Sequence, residues 1–512
     1  MSRRAILLLL IIALPMASWA KPALAATAFD TATAASVWGA ALSYIAPRSL
    51  QPLTVPQMTL WGLNGLTALD PDLNATLQDN QIRLYGPEQL LIALPAPQPN
   101  DAAGWGEAAA VVAKAAYAAS PGLQQAGTQG VIDSFFDELF NHFDPYSRYE
   151  PPSQAAQDQL MITGIAGTGL TLGRQDNKVV ITAVAAAGPA VEAGLAVGTV
   201  VLAIDGKPAY ASQIAALNSR LNGILGSNIT LRVADSNDSG SSSDITLTRA
   251  LVPPQTVFDE TRDTAIPGVL VLKIAGFNKG TSDQFSAALE AGLSASPAPA
   301  SLVLDLRGNR GGVLRQAVLI ADSLLASGKI VEAAGRDASA DQDFTAEGSD
   351  LTAGLPMVVL VDGQTASAAE ILAAALADDG RAVVVGSATL GKGLVQTVTS
   401  LPDGGELYIT WSRVLAPRGW PLQTLGVLPQ VCTSLGEAGL HSQLEALYRG
   451  VNKLAPALVA SRAARAPMPV NKILNIRNQC PADIGGSLDF VAAQALLASK
   501  TTYDAALLPP WK

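Results

Sequence analysis

The chain has 512 residues and a formal net charge of −10, and only 15% of its residues are charged. This length predicts about three domains of ordinary size. The acidic balance argues against nucleic acid or an anionic membrane surface as a partner. With two cysteines and two histidines, the chain has too few of these ligands to predict a zinc site, and we expect no bound metal.

Residues 1–25 are predicted to be an export signal. Two arginines near the start precede the apolar run Ala5–Leu14, and small residues offer cleavage after Ala20 or Ala25. The alternative is a membrane anchor, but the apolar run is about half the length that spans a bilayer. The mature protein is therefore predicted to be periplasmic or secreted.

Residues 26–155 are predicted to form an N-terminal helical region. Phe29–Ile45 and Gly104–Ala119 are rich in alanine with helical spacing, and Thr128–His142 carries an amphipathic apolar stripe. The region ends in the turn sequence Phe143–Tyr149. His142 is interpreted as structural.

Residues 160–251 follow a different pattern. The glycine-rich stretch Gly164–Leu172 opens into an alternating strand, and further strands, the amphipathic helix Ser212–Ile224 and a closing hairpin follow. This order resembles a PDZ domain, although Thr199 stands where such domains in peptidases often have Asp. The resemblance implies that a peptide C-terminus adds a strand to the sheet. Its carboxylate would be bound by the loop formed by Gly167, Thr168, Gly169 and Leu170. The alternative is a small β domain without a ligand.

Strands and helices alternate from Pro253 to Pro429, which predicts an α/β core. The buried strand Leu302–Leu306 is followed by the glycine turn Arg307–Gly312 and a helix. Backbone N–H groups in such a turn can converge on an anion. The simpler interpretation is a strand-to-helix turn that needs glycine for positive φ.

Ser367 lies at the next strand-to-helix turn. The strand Met357–Val361 precedes it and the alanine-rich helix Ala366–Ala377 follows, before a second strand at Ala382–Val385. At the helix N-terminus, unpaired N–H groups and the helix dipole favour negative charge near the hydroxyl. Ser367 is thus a candidate nucleophile, with an ordinary helix N-cap as the alternative.

A nucleophilic serine needs a group that accepts its proton. His142 and His441 both lie outside the strand–helix alternation, so the base must be Lys, Asp or Glu. Lys392 has small, uncharged neighbours, and burial would lower its pKa and favour the neutral amine. Gln396 could orient that amine without adding charge. The alternative is an ordinary surface lysine.

A competing motif overlaps this segment. Gly386–Lys392 matches a phosphate-binding loop up to its last position, where Gly393 replaces the Ser or Thr that would bind Mg²⁺. An exported protein would also meet little ATP. We therefore expect no nucleotide cofactor.

Ser367 followed by Glu370, and then the run Gly391-Lys392-Gly393-Leu394-Val395-Gln396, resembles the active-site region of the C-terminal processing (tail-specific) peptidases. These are Ser–Lys serine endopeptidases that carry a PDZ domain. The resemblance implies that Ser367 is the nucleophile, Lys392 the general base and Gln396 its orienter. It also implies that residues 253–430 form a crotonase/ClpP-like core. The departures at Ala369 and Leu390 do not touch these three residues.

The same resemblance implies an oxyanion hole. A glycine N–H, from Gly311 or Gly312, would act with the N–H of Ala368 to stabilise the tetrahedral intermediate. No cofactor is implied. The implied partners are protein or peptide substrates, bound through their C-termini.

Residues 431–512 are predicted to be helical and rich in alanine and leucine. The segment would either pack against the core or pair subunits in a homo-oligomer, and an adaptor protein is also compatible with the sequence. Cys432 and Cys480 both belong to it, and an oxidising compartment favours a disulfide between them. The alternative is two buried thiols.

The sequence therefore favours an exported serine endopeptidase that binds the C-terminal tails of its substrates. Two alternatives differ in class: a catalytically inactive PDZ adaptor that retains the protease fold, and a Ser–Lys amidase acting on small molecules. The presence of Ser367, Lys392 and Gln396 argues against the first. A PDZ domain has no evident use in the second.

Overall fold

The structure of the protein is a computed structural model that describes residues 28–234, 241–264 and 266–509. The predicted export signal lies outside these residues. The chain divides into two compact units. The first comprises residues up to Leu42 together with Val55–His142, and the second comprises Ser43–Thr54 together with the residues from Phe143 onward.

The first unit contains helices and a three-stranded antiparallel sheet in the order β1-β2-β3. Its core is aromatic, with Trp38 stacked on Phe135 at 4.5 Å between ring centroids. The elements in this part of the chain are α1 (Thr31–Arg48), α2 (Val55–Asn64), α3 (Leu66–Leu69), β1 (Asn74–Gln78), β2 (Gln81–Tyr85), β3 (Leu90–Pro95), α4 (Ala102–Ala119) and α5 (Pro121–Asn141).

Residues 26–155 are mostly helical, as predicted, but the prediction missed this sheet. Apolar residues alternate along β1 and β2, and the two strands are joined at Asp79 and Asn80, both of which have positive φ. Such a turn is typical of a tight hairpin, because its twist matches that of the flanking strands. The alternation and the Asp-Asn pair were a hairpin signal that the alanine-rich surroundings obscured.

The next segment forms a sheet with the strand order β11-β10-β8-β7-β6, in which β9 also pairs with β8. A separate pair joins β12 to β5, and β6 lies at one edge of the larger sheet. The elements are β4 (Arg148–Glu150), α6 (Pro152–Thr163), β5 (Ile165–Gly167), β6 (Leu170–Gln175), β7 (Lys178–Val184), α7 (Pro189–Glu192), β8 (Val200–Ile204), β9 (Lys207–Pro208), α8 (Ile214–Leu221), β10 (Asn228–Ala234), β11 (Ser243–Thr248) and β12 (Ala250–Val252).

The central sheet has the order β13-β14-β15-β18-β19-β22, and its strands from β14 onward are parallel. These strands are short apolar runs because both faces of a parallel sheet are buried. The elements are β13 (Val257–Asp259), α9 (Thr261–Thr264), β14 (Val269–Ile274), α10 (Thr281–Leu293), β15 (Ser301–Asp305), α11 (Leu314–Leu324), β16 (Gly328–Gly335), β17 (Gln342–Ala346), β18 (Met357–Val361), α12 (Ala368–Asp378), β19 (Val383–Gly386), β20 (Leu394–Ser400), β21 (Glu406–Leu415) and β22 (Val431–Cys432).

A further sheet has the order β17-β16-β21-β20, with β4 paired to β21. The C-terminal segment is helical, as the sequence predicts, and forms α13 (Gly436–Tyr448), α14 (Ala455–Arg462), α15 (Val470–Arg477), α16 (Ser487–Leu497) and α17 (Lys500–Ala506). One face of the central sheet packs on residues of α13, α16 and α17, and the other packs on α10, α11 and α12. The segment therefore completes the core. None of the described helices combines the length and the apolar character that crossing a membrane requires.

Asp378 connects the core to this C-terminal segment. It is fully buried at the end of α12, where it accepts a hydrogen bond from Trp420 Nε1 at 2.7 Å and pairs with Arg462 Nε at 3.0 Å. Arg462 is also buried, so the Asp378 carboxylate is needed to balance its positive charge.

We expect Asp378→Ala to lower the free energy of unfolding by about 3–5 kcal/mol, since it leaves a buried guanidinium without its partner. Urea denaturation followed by circular dichroism would measure the loss. The matched control is Asp504→Ala, which breaks an exposed pair with Lys500 and should cost about 0–1 kcal/mol. Equal effects of the two substitutions would contradict the dependence of Arg462 on the Asp378 carboxylate.

Candidate active site

Ser367 lies at the turn between β18 and α12, where the sequence places it. Its φ of 57° and ψ of −119° are unusual for a residue with a Cβ atom. Such a conformation costs about 1–3 kcal/mol and persists only where the surroundings enforce it. The Ser367 N–H is bound by Glu370 Oε2 at 2.8 Å, which contributes to holding this backbone conformation.

The Glu370 carboxylate joins the serine turn to the lysine loop. Its Oε2 accepts from the N–H groups of Ser367 and Lys392, each at 2.8 Å. Its Oε1 accepts from Gly391 N at 2.7 Å and from Thr389 Oγ1 at 2.5 Å. Since one oxygen binds both backbone nitrogens, Ser367 N and Lys392 N are no farther apart than the sum of those two distances.

Glu370 is completely inaccessible to solvent. Burial raises the pKa of its carboxyl, and the hydrogen bonds from Thr389, Ser367, Gly391 and Lys392 oppose that shift because they stabilise the charged form. In the sequence Glu370 is recognisable as part of the family pattern, but the pattern implies no role for it. Its position in the structure makes it the residue that fixes the two loops relative to each other.

Lys392 is partly buried, and its side chain lies over the ring of Tyr146, with Nζ 4.8 Å from the ring centroid. Burial lowers the pKa of Lys392, and the positive charge of Arg148 lowers it further, while Asp144 and Glu370 act in the opposite direction. Across the described residues, no hydrogen bond or ion pair to Nζ is found. A lysine with a lowered pKa and an uncommitted amine is suited to act as a general base.

Gln396 lies on β20, and its amide nitrogen is already engaged. Nε2 donates to Thr410 Oγ1 at 3.1 Å and to Leu394 O at 3.3 Å, and Thr410 Oγ1 in turn donates to Asp144 Oδ1 at 2.8 Å. With the amide nitrogen turned toward these acceptors, the carbonyl oxygen is the end of Gln396 that can accept a hydrogen bond from Lys392. No direct bond between Gln396 and Lys392 occurs within the part of the chain that the structure describes.

The turn Phe143–Tyr149 contributes three residues that sequence reasoning did not place in the site. Asp144, Tyr146 and Arg148 all act on Lys392, through their charges or through ring contact. In the sequence this turn is recognisable only as the end of the N-terminal region. More than two hundred residues separate it from Lys392, and no periodicity in the sequence reports such a contact.

Gly311 lies directly against the serine turn. A Cβ atom on Gly311 would lie 2.8 Å from Ser367 Cβ and 3.0 Å from Ala368 N, and its φ of 93° also favours glycine. Its N–H, however, donates to Asn309 Oδ1 at 2.8 Å. Among the described residues, the N–H groups of Gly312 and Ala368 have no acceptor. The predicted oxyanion pair is therefore narrowed to Gly312 and Ala368.

The phosphate-loop alternative is not supported by the fold. A phosphate-binding loop of this kind leads into a helix, whose N-terminus binds the anion. Here the segment after Gly386 leads through Lys392 into the strand β20. Within residues 28–234, 241–264 and 266–509, no group of three or more His, Cys, Asp or Glu side chains is arranged to hold a metal ion.

The predicted carboxylate loop leads into the edge strand β6. Gly167 ends β5 and Leu170 begins β6, so Gly167, Thr168, Gly169 and Leu170 form the connection that leads into the edge strand. No hydrogen bond joins this loop to Ser367 or Lys392 in the described chain.

Residues 480–489 contact all three loops of the candidate active site. Asp483 O accepts from Gly363 N at 2.7 Å in the serine turn and from Ser387 Oγ at 2.9 Å in the lysine loop. In the glycine turn, Arg307 pairs with Asp489 at 2.9 Å. A disulfide joins Cys480 to Cys432 at the beginning of this segment.

The matching family model is that of peptidase family S41, and it covers residues 268–433. The carboxy-terminal-processing protease of Bartonella bacilliformis is 30% identical over 308 residues, which are 59% of this chain and 69% of that protein. The chloroplastic C-terminal processing peptidase of Tetradesmus obliquus is 31% identical over 321 residues, or 60% and 68% of the two chains. Among solved structures, the photosystem II D1 C-terminal processing protease is 26% identical, with coverage of 73% and 92% and a TM-score of 0.35.

The charge of Arg148 can be tested through the pH dependence of catalysis. If Lys392 must be neutral to act as the base, kcat/KM should rise with pH through the lowered pKa of Lys392. Arg148→Met removes a positive charge near Lys392 and should therefore raise the pKa of Lys392. The acidic limb of the profile should then move to higher pH. Arg148→Lys keeps the charge and should leave the limb in place. An unchanged limb in Arg148→Met would exclude this coupling.

The disulfide can be tested by reduction. We expect dithiothreitol to lower both the stability, by about 2–4 kcal/mol, and kcat, because the segment that supports the three loops loses its tether. Thermal unfolding and peptidase assays on the wild type would measure these losses. The double variant Cys432→Ser/Cys480→Ser should show both defects without reductant and no further response to it. Full activity after complete reduction, verified by thiol titration, would refute the proposed support.

Proposed function

Since this chain belongs to the C-terminal processing peptidases of peptidase family S41, we propose that it is an exported endopeptidase in which Ser367 and Lys392 cleave proteins bound by their C-terminal tails. Membership makes the chain a serine-type peptidase. The Ser–Lys assignment is supported above all by the Glu370 carboxylate, which holds Ser367 N and Lys392 N on one oxygen. The bond to Ser367 N is also the capping-box bond of an ordinary helix N-terminus, but neither an N-cap nor a surface lysine requires the same oxygen to bind Lys392 N.

In the proposed reaction, Lys392 Nζ takes the proton of Ser367 Oγ as that oxygen bonds to the scissile carbonyl carbon. The carbonyl π electrons move onto its oxygen, which accepts hydrogen bonds from the N–H groups of Gly312 and Ala368. When the tetrahedral intermediate collapses, the C–N bond breaks and the Lys392 ammonium protonates the leaving amine.

The resulting acyl-enzyme is then hydrolysed. Lys392 accepts a proton from a water molecule that attacks the ester carbon, and a second oxyanion forms at the same two N–H groups. Collapse of this intermediate breaks the bond to Ser367 Oγ, which recovers its proton from Lys392. The products are a new C-terminal carboxylate and the free enzyme. The Gln396 carbonyl would orient the amine in both halves of the reaction.

Tail binding is assigned to residues 165–252. The edge strand β6 and the adjoining loop Gly167–Leu170 are the two features with which a PDZ domain adds a peptide strand and binds its carboxylate. A cleft of about 920 Å³ adjoins them and is lined by apolar side chains, including Met161, Ile165 and Leu170. An apolar tail with a free carboxylate is the ligand that fits this chemistry.

The crotonase/ClpP-like assignment of the core and the export of the protein belong to the same proposal. The parallel central sheet with helices on both faces is consistent with the first. The disulfide between Cys432 and Cys480 is consistent with an oxidising compartment, as the predicted signal at residues 1–25 implies.

Digestion of an unfolded, reduced and alkylated protein tests the proposal. We expect Ser367→Ala and Lys392→Ala each to lower the rate by about a thousandfold or more, since each removes a member of the catalytic unit. Lys500→Ala, at an exposed lysine on α17, is the matched control and should retain full activity. Equal and negligible digestion by all four proteins would favour a non-catalytic adaptor.

A further inference from the structure

Strand β6 is an edge strand whose outward main-chain groups are not all free. Gly169 O faces β7, because it accepts a hydrogen bond from Ala185 N at 2.7 Å. Along a strand, residues whose N–H and C=O groups face one neighbour alternate with residues whose groups face the other side. The N–H and C=O groups of Leu170 and Leu172 therefore face the open edge of the sheet. At Leu172 both groups are occupied. Asn218 Oδ1 accepts from Leu172 N at 2.7 Å, and Asn218 Nδ2 donates to Leu172 O at 2.9 Å.

The side chain that makes these bonds resembles a segment of peptide backbone. A carboxamide offers an N–H donor and a C=O acceptor, as a peptide group does. A strand added antiparallel to β6 would form the same two hydrogen bonds with Leu172 through the N–H and C=O of one of its residues. Asn218 thus occupies the position on the edge strand where a bound tail would make its central contacts.

We propose that Asn218 is a built-in competitor for the substrate tail, which must release Leu172 before a peptide can pair with β6. This inference rests on the tail-binding function proposed for residues 165–252. Asn218 acts at the docking step and takes no part in the proposed chemical step. In the free enzyme this arrangement gives the N–H and C=O groups of Leu172 hydrogen-bond partners. It also weakens tail binding, because a tail must first displace the Asn218 side chain.

The release is confined to the side chain, because the C-terminal end of α8 is tied to its surroundings. Arg249 Nη2 donates to Arg220 O at 2.8 Å and Arg249 Nε donates to Leu221 O at 3.2 Å. Just beyond the helix, Gly223 N donates to Ala166 O at 3.0 Å. These bonds hold the last turn of α8, and the residue just beyond it, against both ends of the domain, through Arg249 near its end and Ala166 near its start. Rotation of the Asn218 side chain away from Leu172 is then the simplest way to open the edge.

The test uses the full-length chain carrying Ser367→Ala, so that the probe is not cleaved. The probe is a fluorescein-labelled ten-residue peptide that ends in valine with a free carboxylate, and the same peptide with an amidated C-terminus serves as its control. Fluorescence anisotropy gives the dissociation constant. We expect Asn218→Ala to bind the free-carboxylate peptide about tenfold more tightly, because the two hydrogen bonds between Asn218 and Leu172 no longer have to be broken before the peptide pairs with β6.

Asn228→Ala is the matched control variant. Asn228 begins β10, which is separated from β6 by two strands, and its exposed side chain accepts a hydrogen bond from Thr248 Oγ1. The affinity of the Asn228→Ala variant for the peptide should equal that of the parent protein. Thermal unfolding of each variant reports whether the domain stays folded.

Hydrogen exchange supplies a measurement that needs no ligand. With Asn218 in place the Leu172 amide is hydrogen-bonded, so mass spectrometry of the segment 168–174 should show faster exchange in Asn218→Ala and no change in Asn228→Ala. Unchanged exchange in a folded Asn218→Ala protein would overturn the competitor role.

The binding outcomes separate the two proposals. If the parent binds the free-carboxylate peptide in preference to the amidated one and Asn218→Ala binds it equally or more weakly, the competitor role is wrong and tail binding stands. If none of the proteins distinguishes the two peptides, tail recognition by this domain fails, and the competitor role fails with it.

Discussion

The candidate active site depends on one buried carboxylate. Glu370 brings together the turn that carries Ser367 and the loop that carries Lys392, which are separated in the sequence by a helix and a strand. It does so through backbone N–H groups, so it fixes the positions of both residues while leaving their side chains free to react. A buried carboxylate is tolerated only when hydrogen bonds replace its hydration, and here four donors provide them.

The same requirement explains why the loops around Glu370 are so closely interconnected. The Asn309 side chain donates to Ile274 O at 2.7 Å and accepts from Gly311 N at 2.8 Å. The backbone carbonyl of Asn309 accepts from Ala366 N at 2.9 Å. The glycine turn and the serine turn therefore share one anchor. Residues 480–489 add contacts to both and to the lysine loop, so a segment with no chemistry of its own supports the geometry of the site. Such support is what allows Ser367 to keep a strained backbone conformation.

The sequence was informative where the signal is local. The strand-to-helix turn at Ser367, the parallel core and the helical C-terminal segment were all predictable from periodicity and from apolar runs. The short strands β1 to β3 were missed, because the alanine-rich helical segments around them obscured their alternation and their two-residue turn. The contacts of Tyr146 with Lys392 and of Asp483 with Ser387 join distant parts of the chain, and no local pattern encodes them. The hydrogen bond from Gly311 N to the Asn309 side chain is likewise not predictable from the sequence.

The surroundings of Lys392 explain how a lysine can serve where histidine is more usual. Burial and the charge of Arg148 lower the pKa of Lys392, which favours the neutral amine that the proposed base requires. Asp144, Glu370 and the face of the Tyr146 ring favour the ammonium form, which the proposed mechanism requires after Ser367 attacks. Both kinds of contribution suit the proposed mechanism, in which the same amine must first accept and then donate a proton.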